Sequence, residues 1–122
     1  MIGFNEVNPR TYDWEAKDCA VRASSIALDR PYHEVHAEFK KAGRKDRQGT
    51  YFHVINSVLG DPEFATLYTR EAPTLNQFAN KIRRGRWVLC NRRHAWALID
   101  GVVHDDWKVG ARTRVLIAWR VK

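Results

Sequence analysis

HAWALIDGVVHDDW, residues 94–107, holds two apolar runs with period-two alternation on either side of Asp100-Gly101. An Asp-Gly pair between such runs is the strongest short signal for a two-residue hairpin, because both turn positions take positive φ. With Asp100 and Gly101 as the turn, Ile99 faces Val102, Leu98 faces Val103, Trp96 faces Asp105 and His94 faces Trp107. Paired residues share a face of the sheet and diagonal neighbours stay within side-chain reach. Asp105 is therefore expected one diagonal step from His94 on the same face, with Asp106 on the opposite face. A one-residue change of register would exchange the two aspartates.

Working outward, RWVLCNRR (86–93) and RVLIAWRV (114–121) share the same period and the same wealth of Val, Ile and Trp, which extends the hairpin into an antiparallel sheet. Trp87, Trp96, Trp107 and Trp119 are expected to build its core. The first half reads as helices. Asp18 is a candidate N-cap, after which Cys19, Ala23, Ile26 and Ala27 fall on one helical face. Pro31 opens a second helix with a stripe of Tyr32, Val35, Phe39 and Ala42, closed by Gly43. GTYFHVINSVLG (49–60) gives a third helix with Phe52, Ile55 and Leu59 inward, and Thr74 caps a fourth running through Leu75, Phe78, Ala79 and Ile82. The order predicts an α+β fold, a helical N-terminal half packed on a C-terminal antiparallel sheet, in one domain over residues 1–122.

A chain of 122 residues with 44% hydrophobic and 29% charged residues has enough apolar material for one core. No apolar run reaches the ~18–20 residues of a transmembrane helix, and the first residues lack the basic head and apolar run of a signal peptide. A cytoplasmic location with reduced thiols and no membrane partner is the expectation. Two cysteines, Cys19 and Cys90, are too few for a disulfide scaffold or a Cys-ligated zinc site. The net charge of +7 clusters at Lys40 to Arg47, at Lys81 to Arg86 and at Arg92-Arg93. Such a surplus suits an acidic host protein or nucleic acid as partner, and equally a solvated surface.

A thiol in the first turn of a helix feels the positive end of the macrodipole, which favours thiolate. A histidine with a carboxylate in reach has a fixed tautomer and a stabilised imidazolium. Cys19, His94 and Asp105 thus make a candidate nucleophile, base and orienter, with Trp107 as a cover. Cys90 beside Leu89 reads as packing. Ser24 and Ser25 lie in a helix without a base. His33, His36 and His53 complete no metal-ligand pattern, so neither metal nor cofactor is expected.

DCAVRA (18–23), Tyr32 and Val35, and HAWALIDGVVHDDW together resemble the papain-like cysteine peptidase fold, in particular small phage-type members and, more distantly, peptidases that trim bacteriocin leaders. The resemblance implies a thiol protease with nucleophile Cys19, general base His94, orienting Asp105, a peptide or protein substrate and no cofactor. Such families place a Gln before the nucleophile to hold the oxyanion; Asp13 stands there, and the papain signature is absent. The candidate oxyanion donors are then the Cys19 amide with Trp14, Tyr12 or Lys17. The alternative is a catalytically weak or inactive scaffold of the same fold that binds and inhibits a host protein or nucleic acid through its basic surface.

Overall fold

The computed structural model describes residues 2–121. Among these, the elements in chain order are β1 (Gly3–Glu6), α1 (Cys19–Leu28), α2 (Tyr32–Lys41), α3 (Phe52–Leu59), β2 (Phe64–Ala65), a 3-10 turn (Thr69–Glu71), α4 (Leu75–Lys81), β3 (Arg86–Cys90), β4 (Ala95–Ile99), β5 (Val102–Asp105) and β6 (Ile117–Val121). The six strands form one sheet in the order β1-β5-β4-β3-β6-β2, an α+β architecture.

The hairpin takes the register its turn dictates. Ile99 pairs with Val102, Leu98 with Val103 and Ala97 with His104. Asp100 and Gly101 have φ of 49° and 82°, as a turn twisted to match its strands requires. The Asp100 carboxylate also accepts the Gly85 amide at 2.8 Å, tying the turn to the chain entering β3.

Alternation along the strands separates two cores. Val88, Cys90, Ala95, Ala97 and Trp119 face α1, α2 and α3, whereas Trp87, Leu89, Trp96, Leu98 and Val103 pack with Leu75 and Phe78 of α4. Small residues set the closest approach: Ala20, Ala23 and Ala27 of α1 share their cluster with Ala95 and Ala97 of β4. This brings the first turn of α1 close to the sheet. Pro31 stands just before α2, and Thr74 closes a capping box with Gln77 at the start of α4.

Four expectations need correction. The sheet is mixed, because β1 runs parallel to β5 with Gly3 beside Val102 and Glu6 beside Asp105. That edge strand exposes Gly3, Asn5 and Glu6 and so carries little hydrophobic pattern. Asp18 precedes α1 and its carbonyl accepts the Arg22 amide, but its buried carboxylate caps nothing. Phe52 is exposed, with Val54 and Ile55 taking the inward places. Trp107 is 51% exposed because β5 ends at Asp105, whereas the other three sheet tryptophans are buried.

Candidate active site

Cys19 is the first residue of α1, and the first amide bonded within the helix is that of Arg22. The amides before it have no partner one turn back, so their partial positive charge gathers at the thiol. Two buried carboxylates hold the irregular chain that leads to this point. Glu15 accepts both arms of the Arg44 guanidinium at 3.0 Å, the Arg47 amide at 2.7 Å and the Ala16 amide at 2.9 Å, and meets His36 Nε2 at 2.6 Å. Asp18 accepts from Arg10, from Arg22 at 3.1 Å and from the Tyr32 hydroxyl at 2.7 Å. Lys17, between them, has a φ of 55°, which this double anchorage sustains.

His94 stands one residue before β4 and Asp105 is the last residue of β5, so both lie at the end of the hairpin away from its turn. The Asn91 side chain fixes the approach to His94 by accepting the amides of Arg93 and His94, each at 2.9 Å. His94 Nε2 meets Asp105 Oδ2 at 2.5 Å, which leaves Nδ1 as the nitrogen available to a thiol. Asp105 Oδ1 accepts the Asp106 amide at 2.8 Å. The Trp107 ring covers the imidazole with centroids 4.7 Å apart, and Trp96 lies parallel to it at 6.0 Å.

Cys19 and His94 border the same cleft, of about 340 Å³, and each moves the other's protonation. Burial works against a charged sulfur, but the pull of the His94 ring, the Ala95 amide and the charges of His94 and Arg22 outweighs it and holds the Cys19 thiol below its usual range. Burial likewise works against an imidazolium, yet Asp105 and then Cys19 raise His94 to about 9. The bond to Asp105 is the defined one. Among the described residues, no well-formed hydrogen bond to the Cys19 sulfur stands beside it. Cys90 borders the same cleft, but its thiol is pushed up to about 12 by burial and by the charge of Cys19.

The structure therefore brings Cys19 and His94 to one cleft, with Asp105 buried behind the imidazole. It does not bring Tyr12 and Trp14 there: these stack on each other at 5.2 Å, pack edge-on against His36 and leave the cleft wall to Lys17. Asp106 is not on the opposite face, because strand alternation stops at Asp105 and the next carboxylate swings to Arg22 at 2.9 Å. Glu15, His36 and Asp46 could in principle offer a metal three ligand atoms, but the Arg44 fork occupies both Glu15 oxygens, and the group reads as an ion-pair network. A larger cavity of about 730 Å³ lies elsewhere, beside Phe78, Trp87 and Arg114, and none of the three candidate residues borders it.

Arg22, Asn91 and the Glu15–Arg44 pair escaped the sequence reading. Only Arg22 left a local signal, its four-residue spacing from Asp18. Comparisons of the chain with family models, with curated proteins and with solved structures find no match. No helix among the described residues is long and apolar enough to cross a membrane.

Proposed function

We propose that the protein is a thiol hydrolase of papain-like type that cleaves a peptide, isopeptide or related amide bond through Cys19, His94 and Asp105. The observation that carries this reading is His94, held by Asp105 through Nε2 in the cleft that Cys19 opens. The thiolate attacks the carbonyl carbon, and amides at the entrance of α1 receive the oxyanion. His94 then gives its Nδ1 proton to the departing amine, leaving a thioester on Cys19. A water that loses its proton to His94 attacks this acyl-enzyme, and the acid and the thiol are released. Asp105 keeps the imidazole oriented and favours its charged form without taking the proton.

A second reading, a retired scaffold that blocks an acidic host protein or nucleic acid, draws on the +7 charge and on the distance of Tyr12 and Trp14 from the cleft. Alkylation separates the two. At about pH 6 an ordinary thiol is well under ~1% ionised. Wild-type Cys19 is expected to react with iodoacetamide at least ~10-fold faster than glutathione there. His94→Ala should lose that excess, and Cys19→Ala should lose the modification and all hydrolysis of capped peptide pools. A wild-type rate no higher than that of the free thiol would defeat the hydrolase reading.

A further inference from the structure

The cleft wall has a charge pattern that the triad does not use. Lys17, Arg92 and Arg93 border it, and no carboxylate does. Arg22 borders it too, but its charge is met by Asp18 and Asp106. Elsewhere, Arg10, Arg30, Lys40 and Arg44 have carboxylate partners. Lys17, Arg92 and Arg93 have none within ion-pair distance among the described residues. Three uncompensated cations in a concave wall focus positive potential on the volume above the thiol.

Two of these side chains are positioned by the fold. Arg92 Nη2 donates to the Leu67 carbonyl at 3.2 Å, which leaves most of its guanidinium fork free while fixing its direction. It also borders an adjoining hollow of about 140 Å³ with Phe52 and Leu67. Arg93 follows in the turn that the Asn91 side chain ties down. Apolar surface in the same cleft comes from Phe52 and Trp107, which are 36% and 51% exposed and both border it.

We infer that the Cys19 cleft selects peptide segments bearing Asp or Glu beside an apolar residue at the bond to be cleaved. This rests on the reading of Cys19 as an amide-cleaving nucleophile. The carboxylates would lie against Arg92, Arg93 and Lys17, and the apolar neighbour against Phe52 and Trp107. An acidic peptide fits better than nucleic acid, because a thiolate attacks an acyl carbon that a phosphodiester chain does not offer, and the cations ring a small cleft instead of forming a stripe.

The test measures binding on Cys19→Ala protein, by tryptophan fluorescence, with three pools of capped hexapeptides. Each pool has two varied apolar residues at its centre, flanked by Asp/Glu, by Ser/Gln or by Lys/Arg. At about 0.05 M salt the acidic pool is expected to bind ~10-fold tighter than the neutral one and the basic pool weakest, with the spread shrinking several-fold at about 0.5 M salt. Charge reversal in an Arg92→Glu, Arg93→Glu double variant should invert the order. The same reversal at Lys81 and Arg84, which do not border the cleft, should leave it unchanged, with near-UV circular dichroism checking the fold of both. Equal affinity for the three pools, or an order indifferent to the Arg92/Arg93 reversal, overturns the inference. So does a dodecamer of thymidine that displaces the acidic pool at lower concentration than the peptide itself needs. Because the thiol is absent from the binding protein, the two readings fail separately. Acid-selective binding with no cleavage by the wild type removes only the hydrolase, and cleavage without acid preference removes only the selectivity.

Discussion

Asp105 and Asp106 are neighbours in the chain with unlike tasks. The first gives Oδ2 to His94, and the second gives its carboxylate to Arg22 at 2.9 Å. Asp105→Asn keeps the shape but loses the charge that favours the imidazolium, so under the proposed mechanism kcat is expected to fall by ~10²–10⁴. Asp106→Asn leaves His94 its partner and should cost on the order of a factor of three. The pH profile separates them further. Under the proposed mechanism activity needs His94 protonated to release the amine, so it is expected to fall as pH rises through about 9, and on the acid side as Cys19 gains a proton below the usual thiol range. Asp105→Asn should bring the alkaline limb down in pH, and Asp106→Asn should leave it in place; kcat/KM measured across pH checks both. Asp105 was legible because two turn residues fix the register of the whole hairpin. Asp106 was not, since alternation predicts a face only while the strand continues.

Strands and helices were legible in proportion to how much one face is buried. β3, β4 and β6 announce themselves because both of their faces meet cores, Trp87 and Leu89 one way and Val88 and Cys90 the other. β1 stayed silent because three of its four residues face solvent and its backbone pairing with β5 leaves no mark on residue type. Phe52 misled for the opposite reason: an aromatic at helical spacing looks like core, yet this one borders the cleft. Of the two caps read from the sequence, that at Thr74 holds and that at Asp18 does not. Thr74 accepts the Gln77 amide at 3.1 Å and Gln77 returns a bond to the Thr74 amide at 3.0 Å. Thr74→Ala is expected to cost ~1 kcal/mol, a fall in melting temperature of about 4 °C, because one orphan amide of α4 loses its partner. Since α4 packs on the face away from Cys19, the iodoacetamide rate should not change; thermal denaturation and alkylation of the same variant test this together.

Across the whole molecule, the approach to α1 depends on buried charges brought together from distant parts of the chain. Glu15 and Arg44 are 29 residues apart, a separation that no local spacing encodes, and both are almost sealed from solvent. Arg44→Ala would strand Glu15 and is expected to destabilise by ~3–5 kcal/mol, whereas Arg44→Met with Glu15→Gln should recover much of the loss; chemical denaturation measures both. Acid has a related effect. Burial resists ionisation of Glu15 and Asp18, but Arg44 and His36 on one, and Arg10, Tyr32 and Arg22 on the other, hold both carboxyls below their ordinary range. Carboxyls of this kind contribute stability that is fully present above about pH 4.5 and is lost as pH falls through their native values. Unfolding followed by circular dichroism should therefore show stability declining below about pH 4.5, and neutralising Glu15 together with Arg44 should flatten that decline.

Cys90, placed beside the Cys19 cleft with its proton firmly held, has one more effect. Peroxide converts an ionised thiol to a sulfenic acid, which a second thiolate nearby normally rescues by forming a disulfide. Cys90 stays a thiol and almost fully covered, so it is poorly suited to that rescue. Oxidation at Cys19 would then proceed toward the sulfinic state, and inactivation by peroxide would become permanent unless a small-molecule reductant arrives first.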